Sequence, residues 1–182
     1  MSLTYVIGVL GSVGGFLIAQ IVGLYTFART LETTKSIEMI HLTRELAQEF
    51  YAGEEEKVVY RPVKTAIESC EAIYRSNGGK FNHDDINTYL GFFDDLGFYL
   101  DQGAVNLDVL DQEFGAYIIE AFEYPELRRY VSDLEKNAKQ QDAFAMFVAL
   151  ATKLEGLPLR RELAKSWRSG AACKQMKATI SN

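Results

Sequence analysis

The chain has 182 residues, 48% of them hydrophobic, with 19 Lys and Arg against 25 Asp and Glu, for a formal net charge of −6. That balance argues against a general nucleic-acid binder, which needs a basic face, and three prolines without a low-complexity tract argue against long disordered linkers. Two cysteines, Cys70 and Cys173, with neither CxxC nor metal-finger spacing, argue against a disulfide framework.

Residues 1–28 contain no Asp, Glu, Lys or Arg. A helix of about 20 apolar residues crosses a hydrocarbon core about 30 Å thick. Leu3 to Phe27 supplies that length, with Thr4, Ser12, Gln20 and Thr26 as its strongly polar side chains. Tyr5 and Tyr25 stand about 30 Å apart along such a helix, one for each interface. A cleaved signal peptide would carry a basic start and a small-residue cleavage site; here nothing basic precedes the run, and Arg29-Thr30-Leu31-Glu32 follows it. The expectation is a retained transmembrane helix over 1–28, with the lipid bilayer as its first partner.

Arg29, Lys35 and Arg44 follow this span and no Lys or Arg precedes it. The positive-inside rule then places the N-terminus outside the cell inner membrane and the C-terminal domain in the cytoplasm. Gly11, Gly15, Ala19 and Gly23 recur at every fourth residue, a row of small side chains that lets a second helix approach closely. Gln20 beside them can add an interhelical hydrogen bond. The expected partner on that face is another membrane protein or a second copy of this chain.

After the span, residues 29–52 read as an amphipathic helical continuation, with Leu31, Ile37, Ile40, Leu42, Leu46 and Phe50 set among charges and Gly53 as a stop. Residues 53–156 read as a helical domain. Pro62 suits a first turn, and Val63, Ala66, Ile67, Cys70 and Ile73 form one stripe that Asn77-Gly78-Gly79 ends; Cys70 reads there as a small core residue. Asn82 is the expected N-cap of the next helix, with Asp84 and Asp85 at its positive end. Its stripe is Ile86, Tyr89, Leu90, Phe93, Leu96 and Leu100, and Gly91 and Gly97 suggest close packing. Gly103 closes it. Asn106 then opens a helix with Leu107, Leu110, Phe114, Tyr117, Ile118 and Phe122 inward. Pro125 opens a shorter one bearing Leu127, Tyr130, Val131 and Leu134. Another is expected from about Gln140 to Glu155, and Gly156 and Pro158 divide it from a last helix over 159–168. No stretch alternates with period two for long. The predicted fold is all-α, one transmembrane helix followed by a compact bundle of about five to seven helices.

Charge is partitioned along this body. Between Phe81 and Leu127 there are eleven acidic residues and no Lys or Arg. Asp84, Asp85, Asp94, Asp95, Asp101, Asp108 and Asp111 form either a solvated acidic face or a docking surface for a basic partner. Residues 157–182 carry six basic residues against Glu162 alone. There Leu159, Leu163 and Trp167 repeat at helical spacing beside Arg160, Arg161, Lys165 and Arg168. Two readings stand: this basic amphipathic helix lies on an anionic leaflet, or Trp167 packs into the bundle and the charges face its acidic half.

Signs of chemistry are sparse. His41, the pair His83-Asp84, and Asp133 or Asp142 superficially echo the ligand order of metal phosphohydrolases, but helix capping already explains His83 and Asp84. The chain has no GxxxxGK[ST], no GxSxG and no calcium-loop pattern. The sequence therefore predicts no catalytic residue, no metal and no cofactor. Its leading function is a single-pass, membrane-anchored helical adaptor or accessory subunit working through protein–protein contacts; the alternative is a membrane-tethered effector or regulatory enzyme of a stress or phage response.

The block YLGFFDDLGFYLDQGAVNLDVLDQEFGAYIIEAF, Tyr89 to Phe122, resembles the centre of a bacterial family of unknown function. The resemblance implies one N-terminal membrane helix and a helical cytoplasmic domain whose core uses Phe92, Phe93, Phe98, Phe114 and Tyr117. It implies no activity.

Overall fold

The structure, a computed structural model, describes residues 3–136, 140 and 142–174, without the side chains of residues 3–25 and 28. Two compact units divide the chain, Met1–His41 and Leu42–Asn182.

Helix α1 (Leu3–Ala52) provides the first unit and the opening turns of the second. β-Branched threonines are stiff and weaken a helix, yet it runs unbroken through Thr30, Thr33 and Thr34. The hydroxyls of Thr30, Thr33 and Ser36 donate to the carbonyls four residues back, Thr26 at 2.8 Å, Arg29 at 2.9 Å and Glu32 at 2.9 Å, so each finds an acceptor without breaking the ladder. Among the described residues no helix is long and apolar enough to cross a membrane. The charge-free run up to residue 25, with the small-residue face of Gly11, Gly15, Ala19, Gln20 and Gly23, lies outside the side chains described.

The second unit is helical throughout its described residues apart from turns and one isolated bridge, Tyr74 to Phe81. Gly53 stops α1 where the sequence places the stop: a β-carbon there would overlap the Glu49 carbonyl. A π-helical turn (Glu56–Tyr60) leads into α2 (Arg61–Glu68), with Pro62 in its first turn. A 3-10 turn (Arg75–Asn77) follows, then α3 (His83–Asp101), α4 (Leu107–Glu123), α5 (Pro125–Glu135), α6 (Ala145–Glu155) and α7 (Pro158–Arg168). Phe50, at the end of α1 and 3% exposed, is the hub of the core. Its ring lies 5.2 Å from Tyr60, 5.0 Å from Phe92, 5.6 Å from Phe114 and 5.5 Å from Tyr117. Pairs at these separations add to the stabilisation from burial alone.

Caps decide where the helices begin. Asn82 caps α3 through a capping box: its side-chain oxygen accepts from Asp84 and Asp85, and the Asp85 carboxylate accepts from the Asn82 N–H at 2.8 Å. Asn106 accepts from Asp108 at 2.7 Å and caps α4. Helix α6 begins at Ala145 rather than near Gln140 because its cap comes from another helix. Asp94 of α3 accepts the Phe147 N–H at 2.9 Å, while Phe144 turns the chain with φ 61°.

Helix α2 ends much earlier than its stripe suggests. Cys70 takes φ 51°, its N–H donates to Ile67, and Glu71 donates to Ala66, a Schellman cap with cysteine in the position glycine prefers. Ile73 is buried from a loop instead of a helix. Glu126 fixes that loop by accepting from the N–H groups of Ile73 and Tyr74 at 2.9 and 3.0 Å.

The two glycines of α3 differ. A β-carbon on Gly97 would overlap the Met146 carbonyl, so α3 and α6 meet backbone to backbone there, whereas Gly91 has open space around it. Gly97→Ala is expected to cost about 1–3 kcal/mol by overpacking, and Gly91→Ala to stabilise by about 0.5–1 kcal/mol through helix propensity. Urea melts of both variants check this; shifts of the same sign would refute the distinction. Phe98, which the family resemblance places in the core, is 48% exposed on the outer face of α3.

Candidate functional site

Residues of helix α5 line two clefts of the second unit. Tyr124 precedes it in an extended conformation with Pro125 at its start. Leu127 and Val131 point into the core, which turns Arg128, Arg129 and Ser132 outward on the same helix. The Tyr124 ring stands edge-on to Trp167 of α7 at 5.9 Å, and its hydroxyl donates to the Glu71 carbonyl.

Two clefts flank α5. One, of about 420 Å³, is lined by Glu123, Pro125, Arg128, Arg129, Ser132, Trp167 and Arg168. The other, of about 270 Å³, is lined by Tyr74, Ser76, Asn77, Glu126, Arg129, Tyr130 and Asp133. Arg129 borders both. In the second cleft the Tyr130 hydroxyl donates to Asn87 at 2.5 Å and lies 2.9 Å from His83 Nδ1, and burial pushes Tyr130 up to about 12. Burial and the neighbouring Tyr130 hydroxyl raise Tyr74 well above its ordinary value. Two buried side-chain polar atoms lack a well-formed hydrogen bond among the described residues, Tyr74 Oη and Trp167 Nε1, and each belongs to a residue lining one of these clefts.

The floor of the larger cleft is an ion cluster. Glu123 has no exposed side-chain surface, and Arg168 grips it with Nε on Oε2 at 2.9 Å and Nη2 on Oε1 at 2.5 Å. The same guanidinium reaches Glu155 at 2.8 and 2.7 Å. Its hydrogen bonds hold Glu155 below the ordinary carboxylate value, and the two carboxylates raise Arg168 in return. Arg128 stands 3.4 Å from Glu123, a long contact.

A covalent bond lies near this wall. Cys70, beside the acceptor of the Tyr124 hydroxyl, is joined to Cys173, six residues beyond Trp167, with 5.6 Å between the α-carbons. This corrects the expectation of unlinked cysteines and of Cys70 as a plain core residue. No local spacing announces a pair separated by 103 positions.

The basic helix α7 is built into the unit. Trp167 is 4% exposed, too buried for the lipid-surface contact proposed for this segment. Arg160 pairs with Asp111 at 2.5 Å, in a space kept open by Gly115, whose β-carbon would strike both side chains. Arg161 donates to the Gly156 carbonyl and Lys165 pairs with Glu162, so among the named cations Arg160 and Arg168 turn to the acidic half. Leu159 is the exposed apolar residue of α7.

The acidic residues do not form one free face. Asp85 completes a cap, Asp94 caps α6 and Asp111 holds Arg160, while Asp84, Asp95, Asp101 and Asp108 remain exposed. Partial desolvation on one side, then the neighbouring Asp94 carboxylate, raises Asp95 even though its residue is exposed. Among the described residues no group of His, Cys, Asp or Glu side chains could hold a metal ion; His83 meets the Tyr130 hydroxyl.

One partly buried acid, Glu120, went unnoticed in the sequence. Burial, then the Glu68 carboxylate, raises Glu120 to about 7 against the pull of Lys64 and Arg160. Through the window from about 4.5 to about 7 the folded state keeps a proton that the unfolded state has lost, so stability falls as pH rises through it and then levels. Glu120→Gln is expected to flatten that decline and to exceed the parent at pH 8 by roughly 2–3 kcal/mol. Denaturant melts from pH 5 to 8 check this; parallel profiles for parent and variant would refute it.

No family model, curated protein or solved structure matches the chain.

Proposed function

We propose that this chain is a single-pass, membrane-anchored helical adaptor or accessory subunit that acts by binding. The observation that carries the reading is the charge-free run of residues 1–28 at the head of α1, whose last turns enter a helical unit through Leu46 and Phe50. Length and absence of charge are what a bilayer selects. The clefts beside α5 offer arginine and hydroxyl groups suited to binding.

Two cues to sidedness pull apart. Arg29, Lys35 and Arg44 direct the helical unit to the cytoplasm, whereas a disulfide persists in oxidising compartments. Alkylation of intact cells without reductant decides between them: a bonded pair assigns the unit to the oxidising face, and a freely alkylated pair assigns it to the cytoplasm. The anchor itself is tested by carbonate extraction; full-length chain released into the aqueous phase would overturn it. Purification in mild detergent with identification of co-eluting proteins tests the adaptor role. Emergence as a lone monomer would count against it.

A further inference from the structure

The larger cleft beside α5 has donors without acceptors. Trp167 is almost wholly buried and lines the cleft with its ring, while its Nε1–H is closed off and has no partner among the described residues. Next to it, Arg168 is committed to Glu123 and Glu155, and the Glu123 oxygens are both engaged by it. That leaves the exposed guanidinium of Arg128, with its long contact to Glu123, and that of Arg129, which makes no ion pair among the described residues. Ser132 adds a hydroxyl to the lining. A volume of about 420 Å³ exceeds what a bare ion fills and falls within the usual range for small-molecule sites.

We propose that the cleft between α5 and α7 binds a small organic oxyanion, a phosphate or a carboxylate, held by Arg128 and Arg129 with the Ser132 hydroxyl as a further donor and the Trp167 ring in its wall. Planar guanidinium forks match both oxyanions. The inference stands apart from membrane anchoring, since every group it uses belongs to the helical unit.

Trp167 is the only tryptophan in the chain, so its fluorescence reads the site directly. The full chain in neutral detergent is titrated with inorganic phosphate and, separately, with citrate, each against sodium chloride of equal ionic strength. A saturable change half-complete below about 1 mM is expected for at least one anion. Dominance of phosphate names a phosphorylated ligand, and dominance of citrate names a carboxylate. The double variant Arg128→Gln/Arg129→Gln should bind at least about tenfold more weakly, and its melting temperature is measured alongside because Arg128 touches the buried Glu123. Should that variant melt early, Arg129→Gln alone must show the loss. No response beyond the chloride control, or an equal response in the charge variants, would overturn the proposal.

Discussion

Opening the Cys70–Cys173 bond, by reductant or by Cys173→Ala, is expected to destabilise the helical unit by about 4 kcal/mol, lowering its melting temperature by roughly 10 °C. The bond closes a loop of 103 positions in sequence, and a cross-link over so long a span removes much of the freedom of the unfolded chain. Local geometry gives a second reading. Cys70 occupies the left-handed position of the cap that ends α2, where a side chain costs about 1–2 kcal/mol and glycine nothing. With the bond gone, that cost remains without its compensation, so Cys70→Gly should be more stable than Cys70→Ala by about 1 kcal/mol. Guanidinium melts with and without thiol check both statements. A Cys173→Ala variant whose stability still falls on adding reductant, or a parent that ignores reductant, would contradict the account.

Arg168→Met is expected to cost about 3–5 kcal/mol, because it leaves the buried Glu123 with only the long contact to Arg128. The Glu123 side chain has no exposed surface, and its nearest other cation, Arg128, is 3.4 Å away and more than half exposed. Arg168→Lys should recover only part of the loss, since an ammonium cannot fork across two carboxylates. The double variant Glu123→Leu/Arg168→Met removes both charges and should lie closer to the parent than Arg168→Met does. A double-mutant cycle by urea denaturation measures this coupling; additive single effects would mean that the pair is not the support described.

These two features were the least visible in the sequence. Helical stripes and caps were legible because they are local: Asn82, Asn106, Pro125 and Pro158 each stand at or beside the helix start they suggest. Helix ends set by distant partners were not. Nothing near Gln140 reveals that Asp94 caps α6 three turns after its own helix begins, and nothing near Ile73 reveals that Glu126 holds its N–H. Glu123 looked like one more member of an acidic run until α7 brought Arg168 to it. Gly97 was singled out rightly for close packing and Gly91 was not, since propensity alone treats them alike. For the site, the basic character of α7 was plain from spacing, but its direction was not: Trp167 turns inward because α4 and α6 offer it a core.

Joining position 70 to position 173 places α3, α4, α5, α6 and α7 inside a covalent ring. A single proteolytic cut anywhere within that ring would leave both pieces on one molecule. Such a nicked chain would migrate as one band on a gel run without thiol, and as two once thiol is added.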